Sequence, residues 1–178
     1  LDYAHTPEAL KTCILNLKEQ FPEKKINLLF GCGGNRDQNK RSKMGKIADD
    51  YADKIYLTDD NPRFENPNEI RKDIKKGIKK KKIIEVSNRA QAISKAIKNL
   101  DTGDILLVAG KGHEKTQDIG KKKIYFSDKE IILDSIKIKN LNLSNNLKLN
   151  IIKEKSRCEN LLSNSYLKQA RINSQEVR

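Results

Sequence analysis

Four short apolar runs, each the length of a strand and each ending in a polar turn, with helix-sized amphipathic segments around them, constrain this chain more than any other feature. The runs are Ile26-Asn27-Leu28-Leu29-Phe30, Lys54 to Thr58, Ile83 to Val86 and Ile105-Leu106-Leu107-Val108. Runs that do not alternate with polar residues suit strands buried on both faces. Between them lie helix signals. Thr6-Pro7-Glu8 has the form of a helix start, with Leu10, Ile14, Leu17 and Phe21 on one face and Pro22 as the stop. Met44, Ile47, Ala48 and Tyr51 mark the next helix. Asn66-Pro67-Asn68-Glu69 opens a third with Ile70, Ile74 and Ile78 as its buried stripe, and a fourth starts near Asn88 and buries Ala92, Ile93, Ala96, Ile97 and Leu100. Ile124 to Phe126 reads as a further short strand, and Ser127-Asp128-Lys129-Glu130 opens a last helix through about Ile136. The expected fold is a doubly wound α/β domain, a mostly parallel sheet with helices on both faces.

This domain is expected over residues 1–137. Residues 138–150, rich in Asn, Lys and Leu without turn glycines, read as a linker, and 151–178 as an extension with a short helix over 151–168. The chain opens at Leu1 and its single methionine is Met44, so it reads as a piece of a longer protein.

Lys and Arg number 37 against 24 acids, a net charge of +13. Such charge raises nucleic acid as a partner. Ile and Asn are abundant alongside Lys, the pattern of an AT-rich coding sequence, and aromatics to stack on bases are nearly absent. The charge is therefore read as solvated, and Lys79-Lys80-Lys81-Lys82 as a helix end where cations suit the macrodipole. Cys13, Cys32 and Cys158 lack metal-ligand spacing and are odd in number, which suits a reducing, cytoplasmic setting. There is no apolar run long enough for a membrane span and no signal peptide.

Ligands of open α/β sheets lie beyond the carboxyl ends of the strands. Four polar turns fall there: Gly31-Cys32-Gly33-Gly34-Asn35-Arg36-Asp37, Asp60-Asn61-Pro62-Arg63, Ser87-Asn88-Arg89 and Gly110-Lys111-Gly112-His113-Glu114. Arg36, Asp60, Asn61, Arg63, Arg89, Lys111, His113 and Glu114 are thereby expected to converge. Arginines clamp carboxylates or phosphates, whereas Asp and Glu accept from ammonium groups, so the mixture suits a zwitterionic amino acid. The plain alternative pairs Arg36 with Asp37, and Arg63 with Asp59 or Asp60, as solvated ion pairs. Gly31 to Gly34 lacks G-x-G-x-x-G spacing and no P-loop is present, so the main phosphate cradle of any nucleotide lies elsewhere. His5 precedes a helix start, where it can face a phosphate or be an ordinary turn residue. Cys32 reads as a small buried thiol rather than a nucleophile.

Together with Asp2-Tyr3-Ala4-His5-Thr6-Pro7, the turns at Gly31, Asp60 and Gly110 resemble the Mur ligases, in the form of the MurE-type C-terminal domain, over residues 1 to about 137. The resemblance implies a cytoplasmic step of peptidoglycan synthesis. ATP and magnesium activate a UDP-MurNAc-dipeptide carboxylate as an acyl phosphate, and the amine of meso-diaminopimelate attacks it. It further implies that Arg36, Asp60, Asn61, Pro62, Arg63, Gly110 and Glu114 bind that amino acid, with Arg63 on its second carboxylate and Glu114 on its distal ammonium. Asp2 and His5 are implied at the nucleotide. The family's N-terminal UDP-sugar domain and central ATPase domain, with the P-loop and most magnesium ligands, would precede Leu1, so no metal site is expected here and the chain alone should fold without turning over. Neither nucleic acid nor membrane is an expected partner. Ile172 to Arg178 resemble the start of another Mur ligase, which leaves a fused second ligase and a basic extension as the two readings of the tail. The competing functions are a nucleotide-binding oxidoreductase domain, which lacks its fingerprint here, and a basic nucleic-acid-binding module, suggested by charge alone.

Overall fold

A computed structural model describes residues 1–146. The chain divides into two compact units, Leu1–Ile136 and Lys137–Arg178.

In the first unit the elements run α1 (Pro7–Gln20), β1 (Ile26–Phe30), α2 (Asn39–Tyr51), β2 (Lys54–Leu57), α3 (Pro67–Lys75), β3 (Ile83–Glu85), α4 (Arg89–Lys98), β4 (Ile105–Val108), β5 (Thr116–Ile119) and β6 (Lys122–Tyr125). A further helix, α5, begins at 128 and runs to the end of this unit. The expected caps are present. Thr6, Asn66 and Asn88 accept from the backbone N–H groups of Ala9, Asn68 and Gln91, and Ser127 Oγ accepts from Glu130 N.

β1 to β4 form one parallel sheet in the order β3-β2-β1-β4. Because side chains alternate across a strand, the sheet serves two cores. Leu28, Phe30, Ile55, Leu57 and Leu107 face one core with Leu10 and Ile14 of α1, Met44 and Ala48 of α2, and Ile70 and Ile74 of α3. Leu29, Tyr56 and Val108 face the other, with Ala92, Ile93, Ala96 and Ile97 of α4 and, partly buried, Ile131 and Ile132 of α5. Both faces are covered, as the doubly wound reading requires. The chain winds outward from β1 to β3, then α4 returns it so that β4 pairs on the far side of β1. The strand order therefore reverses between β1 and β4, which places a crevice between Gly31 and Gly110.

Three local expectations are corrected. β5 and β6 form a separate antiparallel hairpin, whereas only one strand near Ile124 is legible in sequence. Its turn is Gly120-Lys121, with only Gly120 at positive φ, 57°, the type II′ pattern. The Lys79–Lys82 run is not a helix end, since α3 stops at Lys75. It is a loop whose backbone N–H groups at Lys79, Lys80 and Lys81 close on the buried Asp49 carboxylate of α2 at 2.9–3.1 Å. In the second unit, 138–146 is helical where a linker is expected. Neither Gly nor Pro occurs after Gly120, so no residue there stops a helix. The rest of that stretch, the helix expected over 151–168 and the whole extension over 151–178 lie outside the described residues.

The Asp49 nest sets a pH dependence. Burial opposes its charge, but the three backbone donors and the Lys80 charge outweigh burial and hold its carboxyl below the usual range. A carboxylate lowered in the folded state contributes stability that is complete above its unfolded pKa and lost as pH falls through its folded one. Urea unfolding between about pH 5 and pH 2 should therefore show a shallower loss of stability for Asp49→Asn than for the parent chain. Identical slopes would contradict the role given to Asp49.

Candidate functional site

The three strand ends beside the crevice are fastened backbone to backbone. A Cβ on Gly34 would stand 2.0 Å from the Pro62 carbonyl oxygen, so only glycine admits this approach. Gly34 N donates to Asn61 O at 2.8 Å and seals the contact between the turns after β1 and β2. Asp2 bridges Ala109 alongside β4, which brings Tyr3 and His5 to the same end.

The resulting open pocket, about 400 Å³, is walled by Arg36, Asp60, Asn61, Arg63, Gly110 and Glu114, all residues named from sequence, and by His5. Tyr3, Thr6, Asp37 and Lys40 join the wall, although the sequence assigns none of them a binding role. Lys40 Nζ donates to His5 O at 2.8 Å and ties α2 to the N-terminal segment.

Asn61 is the hub. Its Oδ1 accepts from Lys111 Nζ at 2.8 Å and Asp118 N at 3.1 Å, while its Nδ2 donates to Glu114 Oε2 at 3.1 Å. Lys111 Nζ also donates to Glu114 Oε2, at 2.8 Å. Burial opposes the Glu114 charge, but the bonds from Lys111 and Asn61 prevail and hold its carboxyl below the ordinary glutamate range. Glu114 is thus an anion at neutral pH.

Arg63 sits in the left-handed region, φ 51°, fixed on both sides by the hairpin: its N–H donates to Asp118 O at 3.0 Å and its carbonyl accepts from Gly120 N at 2.6 Å. That turn carries the guanidinium back over the glycine loop, where Nη1 donates to Gly34 O at 2.8 Å. Nε lies 3.9 Å from Asp118 Oδ2, and Nη2 has no hydrogen bond among the described residues.

Several sequence expectations change. Arg89 and Lys111 do not reach the pocket wall: both side chains are wholly buried beneath it. His113 is exposed and off the wall, its ring 5.6 Å from that of Tyr3. Pro62 is buried behind the wall, and Asp2 is exposed at the sheet edge, its Oδ1 accepting from Ala4 N at 2.7 Å. The simple ion pairs do not form. Asp59 pairs with Arg71, Asp60 lies 4.0 Å from Arg89, and Arg36 has no partner among the described residues. Cys32 lines the pocket, but its thiol is pushed up to about 12 by burial, and it packs 3.6 Å from Met44 Sδ. It is no nucleophile at neutral pH.

The support beneath the glycine loop was missed in sequence. Arg41 is buried in α2 and spans Glu65 at 2.7 Å and Asp73 at 3.1 Å, while Glu65 also accepts from Asn35 N. One signal was available: positions 41, 44, 45 and 48 share the buried helix face. Gln117, whose Nε2 donates to Asp60 O at 2.5 Å, was hidden in the hairpin.

Fold and site define an α/β domain with an open pocket at the sheet's switch point that presents charges of both signs. The model of the Mur ligase glutamate ligase domain matches residues 1–112. The chain belongs to the Mur ligase family. It is 52% identical over 139 residues to the UDP-N-acetylmuramoyl-L-alanyl-D-glutamate–2,6-diaminopimelate ligase of Rickettsia rickettsii, covering 78% of this chain and 29% of that protein. The ligase of the same name from Chlorobaculum tepidum is 47% identical over 133 residues, covering 74% of this chain and 26% of that one. A solved structure of a ligase so named superposes with a TM-score of 0.73 at 38% identity, covering 78% of this chain and 28% of the other. The chain thus spans less than a third of the length of these relatives. Family membership leaves the oxidoreductase and nucleic-acid readings without support.

Proposed function

We propose that this domain is the amino-acid-binding part of a ligase that joins meso-2,6-diaminopimelate to UDP-N-acetylmuramoyl-L-alanyl-D-glutamate in peptidoglycan synthesis, in the cytoplasm. The observation that carries this reading is the Arg63 guanidinium, pinned through Nη1 on the pocket wall with Nη2 unbonded among the described residues, in the same pocket as the anionic Glu114. An arginine held in place accepts a planar carboxylate at little further entropic cost. In this reading Arg63 takes the side-chain carboxylate, Glu114 the distal ammonium, and Arg36, Asp60, Asn61 and the Gly110 backbone the remaining polar groups.

Bound ATP supplies the phosphoryl group that activates the dipeptide carboxylate. Among the described residues no group of three His, Cys, Asp or Glu side chains is placed to hold a metal ion, and the sequence has no P-loop. No step is therefore assigned to magnesium or to the phosphates in this chain. Asp2 at the ribose and His5 near the nucleotide belong to the same proposal; both stand at the N-terminal edge of the pocket end. Catalysis of activation falls to the N-terminal and central domains expected of the whole protein. Among the described residues no helix is long and apolar enough to cross a membrane.

The test is a ligation assay on the full-length enzyme with ATP, the UDP-linked dipeptide and either meso-diaminopimelate or L-lysine. A site built to pair a second carboxylate should prefer diaminopimelate by a factor on the order of 10³ or more in kcat/KM, because lysine leaves a desolvated guanidinium unpaired. Equal use of the two would refute the proposal.

A further inference from the structure

We propose that Arg89 and Asp128 are a buried positioning pair for the amino-acid site, acting through Asp60. Both side chains are fully buried, on different elements: Arg89 opens α4 and Asp128 opens α5. Arg89 Nε and Nη2 donate to the two Asp128 oxygens at 2.8 and 2.7 Å. Nη2 also donates to the carbonyl oxygen of Ala109, the residue before Gly110, at 3.0 Å. Two sides of the guanidinium are thus committed, and its plane is fixed.

The third side is the informative one. Nη1 is buried without a hydrogen bond and lies 4.0 Å from Asp60 Oδ2. A buried pair that served only to join two helices would have no reason to leave donors unbonded, since an unsatisfied buried polar group is costly. Here the unbonded side faces the carboxylate of the pocket wall. Asp60 is confined from its other sides: its Oδ1 accepts from Asn61 N at 2.7 Å, and a Cβ on Gly110 would meet its Oδ2 at 2.7 Å. Gly110, at φ 111°, leaves just the room that Oδ2 occupies. Asp60 is therefore held between the Gly110 backbone and the Arg89 charge, and the angle at which it meets a ligand ammonium is set by a guanidinium that itself never touches the ligand. Arg89 also fixes the Ala109 carbonyl, so one side chain determines both the wall carboxylate and the peptide leading into Gly110.

This inference rests on the reading of the pocket as an amino-acid site. Its test uses the full-length ligase and three Michaelis constants, for meso-diaminopimelate, ATP and the UDP-linked dipeptide. Arg89→Lys keeps the charge but cannot hold both Asp128 oxygens, Ala109 O and Asp60 at once; Asp128→Asn keeps the shape and releases the guanidinium. Each should raise KM for the amino acid by about tenfold or more and leave the other two constants within about twofold. In an Asp60→Asn background, Arg89→Lys should add less than about twofold to the same KM, because its route of action is gone. An unchanged amino-acid KM with a lower kcat or active fraction would overturn the proposal, as would equal effects of Arg89→Lys with and without Asp60. If both single variants fail to fold, the pair is purely structural and the proposal falls. A wild-type enzyme that does not add meso-diaminopimelate would refute the pocket assignment itself; one that adds it while these variants keep its KM would refute this inference alone.

Discussion

Replacing Arg63 by alanine in the full-length ligase should lower kcat/KM for meso-diaminopimelate by roughly 10²- to 10³-fold, the loss expected when one partner of a desolvated, hydrogen-bonded charge pair is truncated. The backbone at this position does not confound the result. Residue 63 sits at φ 51°, and Arg and Ala carry the same Cβ penalty there. The hairpin bonds that hold the turn, from Arg63 N to Asp118 O and from Gly120 N to Arg63 O, involve the backbone alone and persist in the variant. What disappears is the guanidinium bonded to Gly34 O. The informative readout is the ratio of diaminopimelate to lysine use, which should fall by a similar factor. Arg63→Lys should lie between, since an ammonium keeps the charge and loses the planar fork. Unchanged kcat/KM and an unchanged ratio in Arg63→Ala would remove Arg63 from the specificity element.

The second large effect concerns folding and follows from a single missing atom. Gly34→Ala should destabilise the 178-residue chain by about 3 kcal/mol or more, a fall in Tm of roughly 10 °C. The added methyl would stand 2.0 Å from Pro62 O and 2.8 Å from Pro62 C, both backbone atoms, so no side chain can swing away to relieve the clash. The turns after β1 and β2 must separate, which breaks the Gly34 N to Asn61 O bond and moves Arg36 relative to Arg63. Gly120→Ala is the control. It has a positive φ, 57°, which Gly34 does not, and nothing stands within 4 Å of its added Cβ, so it should cost only about 1 kcal/mol from backbone strain. Thermal unfolding of the two variants side by side distinguishes the cases. Equal losses would show that the close approach of the two turns does not govern Gly34.

The sheet was legible because its four strands are apolar runs of the right length between helix signals, and the central pair, β1 and β2, is buried on both faces. The hairpin was not. β5 reads Thr116-Gln117-Asp118-Ile119, and its inward residue Gln117 is polar because it serves the Asp60 carbonyl rather than a core. Binary patterning has no signal for a strand whose buried position makes a hydrogen bond. The stretch after the domain differs for the opposite reason: absence of turn residues suits a linker over 138–150, whereas over 138–146 the same absence permits helix.

The site was legible to the level of its turns. Six of the residues drawn from sequence for the amino acid line one pocket, because strand ends at a switch point converge whatever their separation along the chain. Sequence position does not say which way a strand-end side chain turns. Arg89 follows Asn88 into a helix and points beneath the wall, and Lys111 folds under it to bond Asn61 and Glu114. Arg41 illustrates a further limit. Its charge argued for solvent, and only the geometry of Glu65, Asp73 and the Gly33 carbonyl, far apart in sequence, makes its burial favourable.

The central claim is that this pocket holds an amino acid with two carboxylates by assigning one of them to Arg63. A crystal structure of the full-length ligase with meso-diaminopimelate tests it most directly. The account predicts the side-chain carboxylate within hydrogen-bonding distance of the Arg63 guanidinium, about 2.7–3.0 Å, and the distal ammonium against Glu114. The amino acid bound with its side-chain carboxylate on Arg36 or in solvent, and Arg63 still turned only to Gly34, would contradict it.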